Sequence, residues 1–151
     1  MKFKLINKIF FGFLLIKICS CVAPEPDPGP VSFTVLENFR FQNIDYNTNV
    51  DSLSGVELII TNQNDYEEYI VSSGETAVKF NRYFVLAGIS TIYPHCVYVQ
   101  EQSLQLLSDT LKYTVTIGDM GCTMPDRAKY GIVVSKNYVD YPIEFIIEKG
   151  D

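Results

Sequence analysis

Leu111-Lys112-Tyr113-Thr114-Val115-Thr116-Ile117 decides the fold. Leu111, Tyr113, Val115 and Ile117 fall on one side of an extended chain, and Lys112, Thr114 and Thr116 on the other. A period of two is the mark of a half-buried strand. The same alternation recurs outward from this stretch. Ile143, Phe145 and Ile147 alternate with Glu144, Ile146 and Glu148, and Val56, Leu58 and Ile60 with Glu57, Ile59 and Thr61. The run 33–41 reads as one strand with Phe39 and Phe41 on a common face. Segments 83–89, 97–107 and 130–135 bring the set to about seven. Tyr, Phe, Val, Ile and Thr are concentrated in them, as a pleated half-buried surface favours.

One segment departs from this period. Asn64-Asp65-Tyr66-Glu67 has the spacing of a capping box, with Tyr66, Tyr69 and Ile70 on one helical face. It predicts a short helix over 64–72, ended at Ser72-Ser73-Gly74 and packed on a sheet. Strands and helices do not alternate, so a doubly wound sheet is not expected. The expected class is mainly β, or α+β if the single helix is counted. Its form is an antiparallel β-sandwich or a partly open barrel.

The 151 residues allow one domain, and 47% hydrophobic content is enough to fold it. The N-terminus carries a different signal. Lys2, Lys4 and Lys8 precede the apolar run 9–16, too short to span a bilayer, and Ile18-Cys19-Ser20-Cys21 follows. This stretch resembles a bacterial lipoprotein signal peptide. The resemblance implies removal of residues 1–20, acylation (palmitate among the acyl groups) of Cys21, and attachment to the envelope of a Gram-negative bacterium, at the outer membrane, facing the periplasm or the surface. Residues 22–30 hold four of the seven prolines, so 21–31 is expected to be a lipidated, extended tether and 32–151 the single β-rich domain.

Charge narrows the partners. The whole chain carries 12 basic and 18 acidic residues, a net charge of −6. Removing residues 1–20 takes four lysines and no acid, leaving 8 basic against 18 acidic residues and −10. Nucleic-acid binding, which needs surplus Lys and Arg, is not expected. The anchor is the lipid and not a basic patch.

Little in the sequence points to catalysis. His95 is the only histidine, and it sits in a loop after Pro94. No Gly-x-Ser-x-Gly elbow, His-Glu-x-x-His pair or Gly-x-x-x-x-Gly-Lys loop occurs. Glu67 and Glu68 suit the dipole of a helix start. Glu101, Glu144 and Glu148 occupy the polar positions of strands. The chain is read as a non-enzyme with no catalytic residue, cofactor or metal.

With Cys21 acylated, Cys96 and Cys122 remain in an oxidising compartment, and a disulfide is expected. If Leu107 opposes Leu111 around a Ser108-Asp109-Thr110 turn, a regular hairpin also sets Cys96 opposite Cys122. A bulge, for which Gly118 and Gly121 give room, would slip this register. The rival reading, a metal held by His95, Cys96 and Cys122, has too few ligands for a structural zinc site.

Ten tyrosines raise the question of a glycan platform. Tyr93, Tyr138 and Tyr141 lie in expected loops and are the candidate binding surface. Tyr93 belongs to the uncharged loop 89–94, which is either folded under the sheet or kept for a partner, with a Tyr93-Pro94 bond that is cis or trans.

From about 55 to 148 the layout resembles the PrcB-like protease-complex subunits of bacterial secreted proteins and lipoproteins. The resemblance rests on Tyr83-Phe-Val-Leu-Ala-Gly88, the Ser90-Thr91-x-Tyr93 turn, the hairpin, Tyr130-Gly-Ile-Val-Val134 and Phe145-Ile-Ile147. Ile92-Tyr93 stands where that family has a Gly-Gly-Tyr turn, and Lys129 where it has a proline. The resemblance implies a β-rich accessory domain that binds or stabilises a protease. The expected function is therefore that of a lipid-anchored binding protein. Its expected partner is a protein, with a glycan or other extracellular ligand as the alternative.

Overall fold

The computed structural model describes residues 26–44, 55–73 and 77–150. Cys21 and the signal-like segment lie outside them. In chain order the strands are β1 (Gly29–Pro30), β2 (Phe33–Val35), β3 (Phe39–Phe41), β4 (Val56–Ile60) and β5 (Ile70–Ser72). They continue with β6 (Tyr83–Ile89), β7 (Val97–Leu107), β8 (Thr110–Asp119), β9 (Lys129–Ser135) and β10 (Ile143–Lys149). Helix α1 (Gln63–Tyr69) precedes β5, and a 3-10 turn (Lys136–Tyr138) follows β9.

The strands form two four-stranded sheets and a two-stranded ribbon. The first sheet has the order β1-β7-β8-β10, the second β2-β9-β6-β4, and β3 pairs with β5. The class is mainly β, in a sandwich and not a barrel. Between the sheets lie Leu104 and Leu106 of β7 and all four apolar residues of the Leu111–Ile117 alternation on β8. Phe84 and Leu86 of β6 and Tyr130, Ile132 and Val134 of β9 face them. The opposite face of β6, with Val85, Ala87 and Ile89, meets Ile60, Tyr66, Ile70, Leu36 and Phe41 in a second core. β6 is covered on both faces, which is why its sequence runs apolar without a break. Burial pushes the phenols of Tyr113 and Tyr130 well above the usual tyrosine range, so both stay neutral in the core.

Four details depart from the alternation pattern. The expected strand 33–41 is two strands, since Asn38 takes a left-handed conformation (φ 52°) and sends β3 to the ribbon. Asparagine tolerates that region better than most residues. The helix starts one residue early and ends three early. Asn62, not Asn64, is the cap: its side chain accepts from the Asp65 N–H at 3.0 Å and donates to Asp65 Oδ2 at 2.7 Å. Ile70 then pairs with Phe41 in β5, so sheet pairing takes over the last positions of the helical pattern. The prolines do not keep the whole of 21–31 out of the fold: Gly29 and Pro30 pair with Leu106 and Gln105, and Val31 is buried. Proline is compatible with such an edge strand. Lastly, β10 pairs with β8 in parallel. Residues 136–142 cross between the sheets at the end where β9 finishes and β8 begins, so β10 must run in the direction of β8.

Candidate functional site

At the end where β6 and β8 finish and β7 and β9 begin, two loops meet, 90–96 and 120–128. Ser90 holds their bases together from a fully buried position. Its N–H donates to Ala128 O and its Oγ accepts from the Ala128 N–H, each at 2.9 Å, and Arg127 Nη1 donates to Ser90 O at 3.3 Å. Further out, Tyr93 and Asp126 exchange backbone bonds of 2.9 and 3.1 Å. The Asp126 carboxylate accepts from the N–H groups of Arg127 (2.8 Å) and Val97 (3.4 Å).

Cys96 and Cys122 are bridged, with Cα atoms 5.2 Å apart. The bridge forms as expected, but by a different route. The hairpin turn is the two residues Ser108-Asp109, so Leu107 opposes Thr110 and not Leu111. A bulge at Gln100 slips the register once more; its extra residue is on β7 and not at Gly118 or Gly121. The residue brought opposite Cys96 is then Met120, whose N–H donates to Cys96 O at 2.9 Å. The chain reaches back through Gly121, left-handed at φ 73°, whose N–H donates to Asp119 Oδ1 at 2.7 Å. That turn returns Cys122 to Cys96, and Cys122 Sγ accepts from the N–H groups of Cys96 (3.2 Å) and Met124 (3.4 Å).

His95 lies in this network. Its Nε2 is 3.1 Å from Asp119 Oδ2, without the alignment of a hydrogen bond, and its ring is 6.1 Å from that of Tyr93. Asp119 thus spends one oxygen on Gly121 and sets the other beside the imidazole. This is the geometry of a loop clamp. With both thiols in the bridge, the His95-Cys96-Cys122 metal reading does not hold. No cluster of three metal-ligating side chains occurs among the described residues.

The three candidate tyrosines are not brought together. Tyr93 is at the disulfide end, half-buried against the first core, and its bond to Pro94 is trans. Tyr138 and Tyr141 are at the opposite end, half-buried, with rings 6.3 Å apart and inclined by 43°. The most exposed apolar groups at the disulfide end are others: Met120 (65% exposed) and Met124 (68%), on either side of Cys122, with the less exposed Tyr98 on β7. Pro94 and Pro125 are exposed beside them in sequence. Sequence reasoning passed over these methionines. The available signal was their placement: apart from Met1, they are the only two in the chain, four residues apart.

No helix among the described residues is long and apolar enough to cross a membrane. Comparison with protein-family models, with curated proteins and with solved structures found no match.

Proposed function

We propose that this chain is a lipid-anchored envelope protein without a catalytic site of its own, acting by binding another protein through the disulfide-pinned loops. The observation that carries the reading is the exposure of Met120 and Met124 on a loop held by a disulfide, a left-handed glycine and the Tyr93–Asp126 bridge. Two large apolar side chains on a rigid loop are costly in water and suited to an interface. Methionine adapts to an apolar partner surface, and a prefixed loop loses little entropy on binding. The protease-complex resemblance names the class of partner to look for first. A glycan would call for a stacking platform, and the inclined, half-buried rings of Tyr138 and Tyr141 offer less free face than the methionines do.

The test is photo-cross-linking in intact envelopes from a reactive residue at Thr123. A discrete protein adduct is expected for the native loop. It should be lost in the Met120→Ser, Met124→Ser double variant while the melting temperature stays within about 2 °C, as for exposed positions. An undiminished adduct in the double variant would remove the methionines from the interface.

A further inference from the structure

Among the described residues, the sandwich is closed along one side and open along the other. Only Val31 and Ser32 join β1 to β2, so the β1 edge of the first sheet lies with the β2 edge of the second. The edges β10 and β4 therefore share the opposite side. There the described residues leave the inter-sheet space short of side chains. Ile143, Phe145 and Ile147 pack against the first core but are only half-buried, whereas their partners Leu111, Tyr113 and Val115 on β8 are fully buried. On β4, Ile59 pairs with Leu86, and paired residues share a face. Ile59 thus points to the same space as Leu86, yet it is 49% exposed. β10 has a sheet partner on one side only, so among the described residues its outer backbone edge is unpaired over seven residues. A row of free peptide groups beside a strip of half-covered apolar side chains is what one more strand would complete.

We propose that the β10 edge takes up an extended segment of a partner protein, apolar at alternate positions and basic between them. The apolar positions follow from the strip formed by Ile59, Phe145 and Ile147. The basic ones follow from the other face of β10. Glu144 and Glu148 flank Ile146 there, with Lys112 beside Glu144, Thr116 beside Glu148 and Glu101 beyond Thr116. That face holds three carboxylates to one ammonium, so an incoming strand with Lys or Arg is favoured. A second copy of this chain fits poorly. Pairing two β10 strands antiparallel over their full length sets Glu144 opposite Glu148 twice, and like charges directly opposite destabilise a sheet. This edge is distinct from the disulfide loops and does not depend on them.

The probe is a capped heptapeptide, Lys-Ile-Lys-Ile-Lys-Ile-Lys, added to the full chain in detergent and compared with Glu-Ile-Glu-Ile-Glu-Ile-Glu. Hydrogen exchange locates the contact. The basic peptide is expected to slow exchange of the outward amides of Ile143, Phe145, Ile147 and Lys149, since those of Glu144, Ile146 and Glu148 already face β8. The acidic peptide should bind at least about tenfold more weakly, and Glu144→Lys with Glu148→Lys should reverse the order. Equal binding of the two peptides, or protection elsewhere, would overturn the proposal. So would slow exchange of these four outward amides in the free protein, because the edge would then be covered already, by another part of the chain or by a second copy. If the charge-reversed variant does not fold, the two-peptide comparison on the native chain still decides.

Discussion

Two glycines face tyrosines across the sheets, and they should respond differently to a methyl group. Gly88 pairs with Tyr130, and a Cβ there would run into both the Tyr130 phenol and Val56 O. Tyr130 is buried and packs edge-on to Tyr113 with ring centroids 5.9 Å apart, and the Val56 carbonyl belongs to a paired strand. Neither can withdraw cheaply. Gly118 pairs with Tyr98, and a Cβ there would lie 2.6 Å from the ring, but Tyr98 is 45% exposed and can swing away. Gly88→Ala is therefore expected to cost about 2–3 kcal/mol and Gly118→Ala less than about 1 kcal/mol, from urea unfolding midpoints. Equal losses would mean that Tyr130 repacks as freely as Tyr98. At this scale the sequence was partly legible. The strand patterns 97–107 and 130–135 marked Tyr98 and Tyr130 as strand residues, but that each has a glycine opposite depends on register, which alternation does not specify.

Among the elements, the hairpin shows most clearly what a sequence determines. Its two strands were legible because eleven and ten residues of alternation average out local exceptions. The register was not, because a two-residue turn and a bulge at Gln100 each shift it by one residue and leave no mark in composition. The bridge formed nonetheless, since the left-handed Gly121 turn supplies the reach that the shifted register takes away. The helix boundary failed for a related reason. The 3.6-residue pattern of Tyr66, Tyr69 and Ile70 continues into Ile70, but pairing with Phe41 outweighs one more helical turn. The disulfide joins residues 26 apart. Cross-linking a loop of this length is worth about 3.5 kcal/mol in the chain-entropy model. Replacing both cysteines by serine should lower stability by about 3 kcal/mol while the sandwich persists, because the hairpin stays seated on the first core. Chemical denaturation with far-UV circular dichroism checks both parts; a loss of β signal without denaturant would make the bridge essential to the fold.

For the molecule as a whole, the sandwich class was legible from strand count and from the lack of strand–helix alternation. The three-layer arrangement was not, because β5 is three residues long and an apolar run such as 84–89 does not say what covers its second face. One consequence of the topology concerns orientation. β1 runs antiparallel to β7, with Gly29 at Leu106 and Pro30 at Gln105, so the chain before Gly29 leaves toward the Ser108-Asp109 turn. The disulfide loops lie at the other end of β7, whose eleven residues at about 3.3 Å each put the two ends roughly 30 Å apart. If Cys21 carries the lipid, residues 21–28 reach at most about 25 Å when fully extended, and the turn end faces the bilayer. The methionine loop then points away from the membrane. Cys21→Ala is expected to move the protein from the membrane fraction to the soluble one; retention in the membrane fraction would end the anchor reading. Orientation has its own measurement. A fluorophore at Asp109 should be quenched by nitroxide-bearing lipids more strongly than one at Thr123. Equal quenching with the anchor intact would mean that the tether lets the domain tumble, and Met120 and Met124 would then have no fixed outward presentation.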